Sequence, residues 1–228
     1  MEKKKETPSP ADTEVILRNR VMKAYLDLCR GVSGNPETVF DNLLRFIIHG
    51  FHVGGAPMKD WPYTPERSAD FMAFLRVWTG ALAEIFAQRP WYDFLGYIYE
   101  MVVAGPRRKS GNGQFFTPVH ICDLMTAIVG GKKDGDETAC DPCCGSGRLL
   151  LARHADNPRA VLYANDLDRT CVMMTICNFI VHGCKGVVTW GDSLKNTVNE
   201  TWLVNPAIND PASPLFGCPH CIRSDEAA

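Results

Sequence analysis

The loop Asp141-Pro142-Cys143-Cys144-Gly145-Ser146-Gly147 concentrates more potential chemistry than any other stretch of the sequence. It separates a short strand expected near Thr138 to Cys140 from a helix expected after Ser146, whose apolar face includes Leu149, Leu150 and Leu151. Two glycines let a backbone turn tightly and approach a ligand with no Cβ in the way. An ordinary strand-to-helix turn uses the same residues, so the loop alone leaves both readings open. The next strand ends Leu162-Tyr163-Ala164-Asn165-Asp166. Its acid stands at the carboxyl edge of the neighbouring strand, where a carboxylate can accept from both hydroxyls of a ribose. The third strand ends Trp190-Gly191-Asp192-Ser193. Asp192 can accept there from an adenine amino group, with Trp190 or the backbone beside the ring. One such acid is more often a helix cap or a solvated loop residue. Three at successive strand ends predict a nucleotide-type pocket.

The elements that must position these residues follow from periodicity. Ser9-Pro10-Ala11-Asp12 has a capping hydroxyl, a first-turn proline and an acid, and Val21, Tyr25 and Leu28 continue a helical stripe until Gly31 and Gly34. Asn35-Pro36-Glu37 starts a second helix, with Phe40, Leu43, Leu44, Ile47 and Ile48 on one face. Thr64-Pro65-Glu66 starts a third, carrying Phe71, Phe74, Leu75, Trp78, Leu82 and Ile85, and Pro90 opens a fourth. Residues 9–104 are therefore expected to form a helical domain. The run from Gly105 to Gly113 holds turn residues and Arg107-Arg108-Lys109 but almost nothing apolar, and it marks a boundary. Beyond it, helices expected at Pro118 to Val129, after Ser146 and at Arg169 to Val181 alternate with strands. Those strands are expected near Thr138 to Cys140, Ala160 to Ala164, Gly186 to Trp190 and Trp202 to Val204. Such alternation predicts an α/β unit over residues 105–215 with a parallel sheet, followed by a tail over 216–228.

Composition narrows the function classes. With 24 basic against 26 acidic side chains the net charge is -2, which gives no global attraction for a polyanion. Nucleic-acid binding then needs a local basic patch or a partner chain, and Arg107-Arg108-Lys109 serves equally as a phosphate contact or a solvated linker. Met1 to Pro10 lacks the apolar core of a secretory signal, and no apolar run is long enough to span a bilayer, so a cytoplasmic protein without membrane contact is expected. The 10 cysteines crowd the Gly-rich turn or sit inside apolar stretches, as reduced thiols do. Cys218-Pro219-His220-Cys221 has the form of half a zinc knuckle, but no second pair follows, and a tail turn with free thiols is the preferred reading. No metal site is assigned, and the histidines show no metal or triad spacing.

Together these segments resemble the modification subunit of type I restriction-modification systems and related DNA adenine-N6 methyltransferases. The matching residues are Asp93-Phe94-Leu95-Gly96-Tyr97-Ile98-Tyr99-Glu100, Gly113-Gln114-Phe115-Phe116-Thr117-Pro118, the Asp141 to Gly147 loop, Asn165-Asp166 and Gly191-Asp192-Ser193-Leu194. The resemblance implies a Rossmann-like S-adenosylmethionine-dependent methyltransferase core that moves a methyl group to N6 of adenine in DNA. It implies that Phe115, Phe116, Thr117 and Pro118 lie over the bound cofactor. Asp141, Pro142, Gly145, Ser146 and Gly147 would hold its methionine part, Asp166 the ribose and Asp192 the adenine. The family's catalytic Asn-Pro-Pro-aromatic motif falls at Asn205-Pro206-Ala207-Ile208, so Asn205 and Pro206 are the implied catalytic pair, without the second proline and the aromatic ring. A non-catalytic cofactor-binding accessory module is the alternative reading. The remainder after Ile208 is too short to complete such a sheet, so an incomplete parallel sheet is expected. Its open fourth strand would be covered by the helical unit, a second copy or a specificity or other partner subunit.

Overall fold

The first three helices each start at a proline behind a side chain that accepts from the first turn. The computed structural model describes residues 9–55, 58, 60–103, 116–131 and 135–226. Ser9 caps α1 (Pro10–Gly31), Asn35 caps α2 (Pro36–Phe51) and Thr64 caps α3 (Pro65–Phe86), accepting from the backbone N–H of Asp12, Glu37 and Arg67 respectively. The fourth helix departs from expectation. Pro90 lies in a bend, and α4 (Phe94–Ile98) begins behind Asp93, whose carboxylate accepts from Gly96 N. It continues as a π-helical turn over Tyr99–Val103. Phe115 and the Arg107-Arg108-Lys109 run lie outside the described residues.

Next come α5 (Val119–Val129), β1 (Thr138–Asp141), α6 (Arg148–Asp156), β2 (Val161–Asp166), α7 (Arg169–His182) and β3 (Gly186–Asp192). The chain then runs through β4 (Thr197–Val204) and β5 (Cys221–Arg223). The five strands form one mixed sheet in the order β1-β2-β3-β4-β5. The first three are parallel, as the alternation predicts. The fully parallel sheet is not borne out: β4 runs antiparallel to β3 and β5 antiparallel to β4. Only residues 193–196 separate β3 from β4, and a link that short permits a hairpin but not the crossover that parallel strands need. Asn196 takes a left-handed φ of 52° within it, a conformation that asparagine tolerates.

Helix α7 is buried on all sides from Cys171 to Ile180, as a helix packed between α2 and the sheet must be. Leu162, Ala164, Val188, Trp202 and Val204 point from the sheet into this layer, while Cys140 and Tyr163 alternate onto an exposed face. One apolar cluster joins the helical residues Leu17, Tyr25, Leu44, Trp78 and Phe94 to Leu150, Leu162, Ile176 and Val188. The edge expected to stay open at β4 is paired from within the chain by β5, and His52, just after α2, bridges onward to Cys221. Among the described residues no helix is long and apolar enough to cross a membrane.

Candidate functional site

The three parallel strands end in a staircase. Asp141 pairs with Ala164, so β2 runs two residues further to Asp166. Asp166 in turn pairs with Trp190, two residues short of Asp192. The three acids therefore share the carboxyl rim of the sheet, each about 7 Å beyond the last along the strand direction.

Four main-chain groups pin the Gly-rich loop across this rim. Cys143 N–H donates to Asp141 Oδ1 at 3.0 Å, Cys144 N–H to Asn165 O at 2.9 Å and Gly145 N–H to Asp166 Oδ2 at 2.8 Å. Gly145 O accepts from Thr175 Oγ1 of α7 at 2.9 Å. Gly145 has φ 57°, and a Cβ there would stand 2.9 Å from the Phe116 ring. Glycine at this position therefore relieves both backbone strain and a clash with the residue above it.

Phe116, Thr117, Asp141, Gly145, Ser146 and Asp166 come together around a cavity of about 280 Å³ that Cys143, Cys144, Arg148, Leu149 and Cys171 also line. Phe116 forms one wall, stacked on Tyr99 at 5.5 Å between centroids. Burial pushes the carboxyls of Asp141 and Asp166 up from the usual range, with backbone hydrogen bonds opposing it. Asp166 Oδ1 also accepts from Asp168 N at 2.8 Å. A carboxylate offers about four acceptor sites, so Asp166 keeps capacity for a ligand.

Other expected residues do different work. Asp192 stands at the rim but not in the cavity wall; its Oδ1 accepts from Leu194 N and Lys195 N, both at 3.0 Å, and it caps the β3–β4 turn. Those hydrogen bonds, with Lys195 beside it, hold its carboxyl below the usual range. Pro142 O accepts from Asn165 Nδ2 at 3.3 Å, Gly147 takes φ 86° as the N-cap of α6, and Pro118 precedes α5 without a side-chain capping bond. Ser146 is buried with its hydroxyl turned inward to Asp93, at 2.6 Å. Trp190 lines a second cavity, between α2, α7 and β3 to β5, and its indole N–H donates to Leu167 O at 3.1 Å.

The structure does not bring the implied catalytic pair, Asn205 and Pro206, to the cavity. Because β4 runs antiparallel, its last residue Val204 lies opposite Gly186, the first residue of β3. Asn205 and Pro206 therefore follow at the opposite rim, roughly 20 Å along the strand from Asp192. Asn205 is fully buried at φ 50°. Its Nδ2 donates to Phe179 O at 3.0 Å and Cys184 O at 2.9 Å, and its Oδ1 accepts from His220 N at 2.8 Å. With its own N–H given to His220 O at 2.7 Å, this side chain fastens the tail to the end of α7. In that tail Cys221 is buried with Sγ against Ile48 O, and Cys218 is exposed.

A buried polar cluster behind the cavity is the part that reading the sequence missed. Asp93, 2% exposed, accepts from Gly96 N, Ser146 Oγ, Arg148 Nε and Asn178 Nδ2 at 2.6–2.9 Å. Arg148 also donates to Glu100 Oε2 at 2.9 Å and Thr117 O at 3.3 Å, with its guanidinium 5.2 Å from the Phe116 ring centre. Glu100 Oε1 in turn accepts from Phe116 N. Burial opposes the charge on Arg148, but Asp93 and Glu100 outweigh it and the guanidinium is held more firmly protonated than usual. Thus the helical segment, the Gly-rich loop and the Phe116-Thr117 wall share one set of charges. The available signal was three charged residues, Asp93, Glu100 and Arg148, set among apolar neighbours.

Known proteins align with part of this chain. A type I restriction enzyme MjaVIII methylase subunit of Methanocaldococcus jannaschii is 32% identical over 120 residues, covering 49% of this chain and 20% of that protein. The MjaVII methylase subunit of the same organism is 30% identical over 136 residues, covering 55% and 23%. The MpnII methylase subunit of Mycoplasma pneumoniae is 32% identical over 97 residues, covering 40% and 18%. The chain thus spans about a fifth of the length of these curated relatives. No solved structure matches it. Residues 91–210, more than half of the chain and the stretch that holds every residue lining the cavity, match the N-6 DNA Methylase family, and the chain belongs to that family.

Proposed function

We propose that this protein binds S-adenosylmethionine in the 280 Å³ cavity and transfers its methyl group to N6 of adenine in DNA. The observation that carries the reading is Asp166. It anchors the Gly145 backbone and keeps acceptor capacity at the end of the strand next to the loop, where a ribose diol is met in doubly wound sheets. On this reading β1, β2 and β3 with α6 and α7 act as one half of a Rossmann-like fold. The residues present suit the cofactor: a carboxylate for the ribose, a second carboxylate at Asp141 for an ammonium group, and the Phe116 ring as a wall. When bound, the cofactor supplies an electrophilic methyl group on a sulfonium. The chain's own part is to bind, orient and exclude water. The Gly-rich loop sets the backbone close to the ligand, Phe116 covers it, and the Asp93-Arg148-Glu100 cluster holds that wall against the loop. The amine of the target base would be held by groups other than Asn205.

A non-catalytic cofactor-binding module is the second reading, favoured by the burial and full hydrogen bonding of Asn205. Incubation with unmethylated DNA and methyl-labelled cofactor, followed by hydrolysis to nucleosides, separates the two. Label in N6-methyladenine supports the methylase. Saturable cofactor binding with unlabelled DNA supports the accessory module.

A further inference from the structure

The cavity proposed for the cofactor has an uneven distribution of charge. Two of its lining residues, Asp141 and Asp166, are carboxylates, and Arg148 is its sole cation among the described residues. A guanidinium carries five N–H donors. Three of those on Arg148 are met by Asp93, Glu100 and Thr117 O, which leaves two among the described contacts. The side chain is only 8% exposed, so those donors have little water to bond. Thr117 and Phe116, which line the same cavity, hold Arg148 in place through a hydrogen bond and the ring face.

The geometry points to Arg148 as the residue that receives the α-carboxylate of the amino-acid end of the cofactor, with Asp141 facing the α-ammonium. This inference rests on the reading of the cavity as the S-adenosylmethionine site and goes beyond it by assigning the polarity of the ligand. A zwitterionic amino acid needs one group of each sign, and the Gly-rich loop spans the gap between Asp141 and Arg148. The nucleoside end is then left to Asp166. Because the contact is charge-assisted and nearly buried, its loss weakens binding on the order of tenfold to a hundredfold.

The test compares two ligands on two proteins by calorimetry: S-adenosylhomocysteine, and 5′-methylthioadenosine, which keeps the nucleoside and thioether but lacks the amino acid. Arg148→Lys retains a cation for Asp93 and Glu100 and loses the planar fork. The expected result is a loss of at least about tenfold for S-adenosylhomocysteine with 5′-methylthioadenosine within about twofold of wild type. Equal losses for both ligands, or no loss for either, overturn the assignment. Should the variant not fold by circular dichroism, the wild type is titrated with S-adenosylhomocysteine and its carboxyl methyl ester. A weaker ester upholds the contact and equal affinity overturns it. If the wild type binds neither nucleoside, the cofactor reading itself falls and the assignment of Arg148 with it.

Discussion

Replacing Asp93 with asparagine removes one negative charge from a fully buried site and nearly preserves its shape. The carboxylate side chain is 0% exposed and accepts four hydrogen bonds, two of them on Oδ2 from Ser146 and Arg148. An amide placed there turns a donor toward donors or leaves one position without an acceptor. Removing one partner of a buried ion pair costs about 3–5 kcal/mol. Glu100 remains as a second carboxylate for Arg148, so the lower end, about 3 kcal/mol, is expected. That is a large share of the roughly 5–15 kcal/mol by which folded proteins are stable, and it corresponds to a fall in melting temperature on the order of 10 °C. Urea denaturation followed by circular dichroism measures it. The double variant Asp93→Asn, Arg148→Met relieves the stranded cation, so its loss should fall short of the sum of the two single losses by roughly 1–2 kcal/mol. A single-variant loss below about 1 kcal/mol, or strict additivity, would refute the idea that this cluster ties the helical segment to the loop.

Two other outcomes follow from buried polar groups. Asn205→Ala loses the side-chain bonds to Phe179, Cys184 and His220 and puts alanine at φ 50°, so urea melts should show a loss of about 3 kcal/mol while cofactor affinity stays within about twofold. A stable variant that binds cofactor but no longer methylates would instead return Asn205 to the catalytic site. Burial pushes His182 down from 6.5 to about 4, with its ring nitrogens bonded to Asn178 O and Tyr92 N–H. The unfolded chain takes up that proton near pH 6.5 and the folded chain only near pH 4, so this stability is complete above pH 6.5 and is lost as pH falls towards 4. Burial lowers His154 as well, which adds to the slope. Wild type should lose about 2 kcal/mol between pH 7.5 and pH 5 and His182→Gln distinctly less; a flat wild-type profile contradicts it.

Features set within a few residues were legible in the sequence. Ser9, Asn35 and Thr64 signalled their helix starts because a cap and its target N–H lie within one turn. The staircase of Asp141, Asp166 and Asp192 was legible because each crossover repeats the same direction. Strand direction after β3 was not, because the alternation of Trp202 and Val204 is the same in parallel and antiparallel strands. The turn over 193–196 was the missing clue, hidden by starting the fourth strand at Trp202 instead of Thr197. The position of Asn205 was not legible for the same reason: Asn205-Pro206 keeps only the first half of the motif, and the direction of β4 carries it to the other rim. The Asp93-Arg148 pair was out of reach of local patterning because 55 residues separate its members.

The most direct test is a calorimetric titration of S-adenosylmethionine into wild-type protein and Asp166→Asn. Saturable one-site binding that weakens about tenfold or more in the variant is the predicted result. No binding to the wild type, or equal affinity in both proteins, would contradict the account of this rim as the cofactor site.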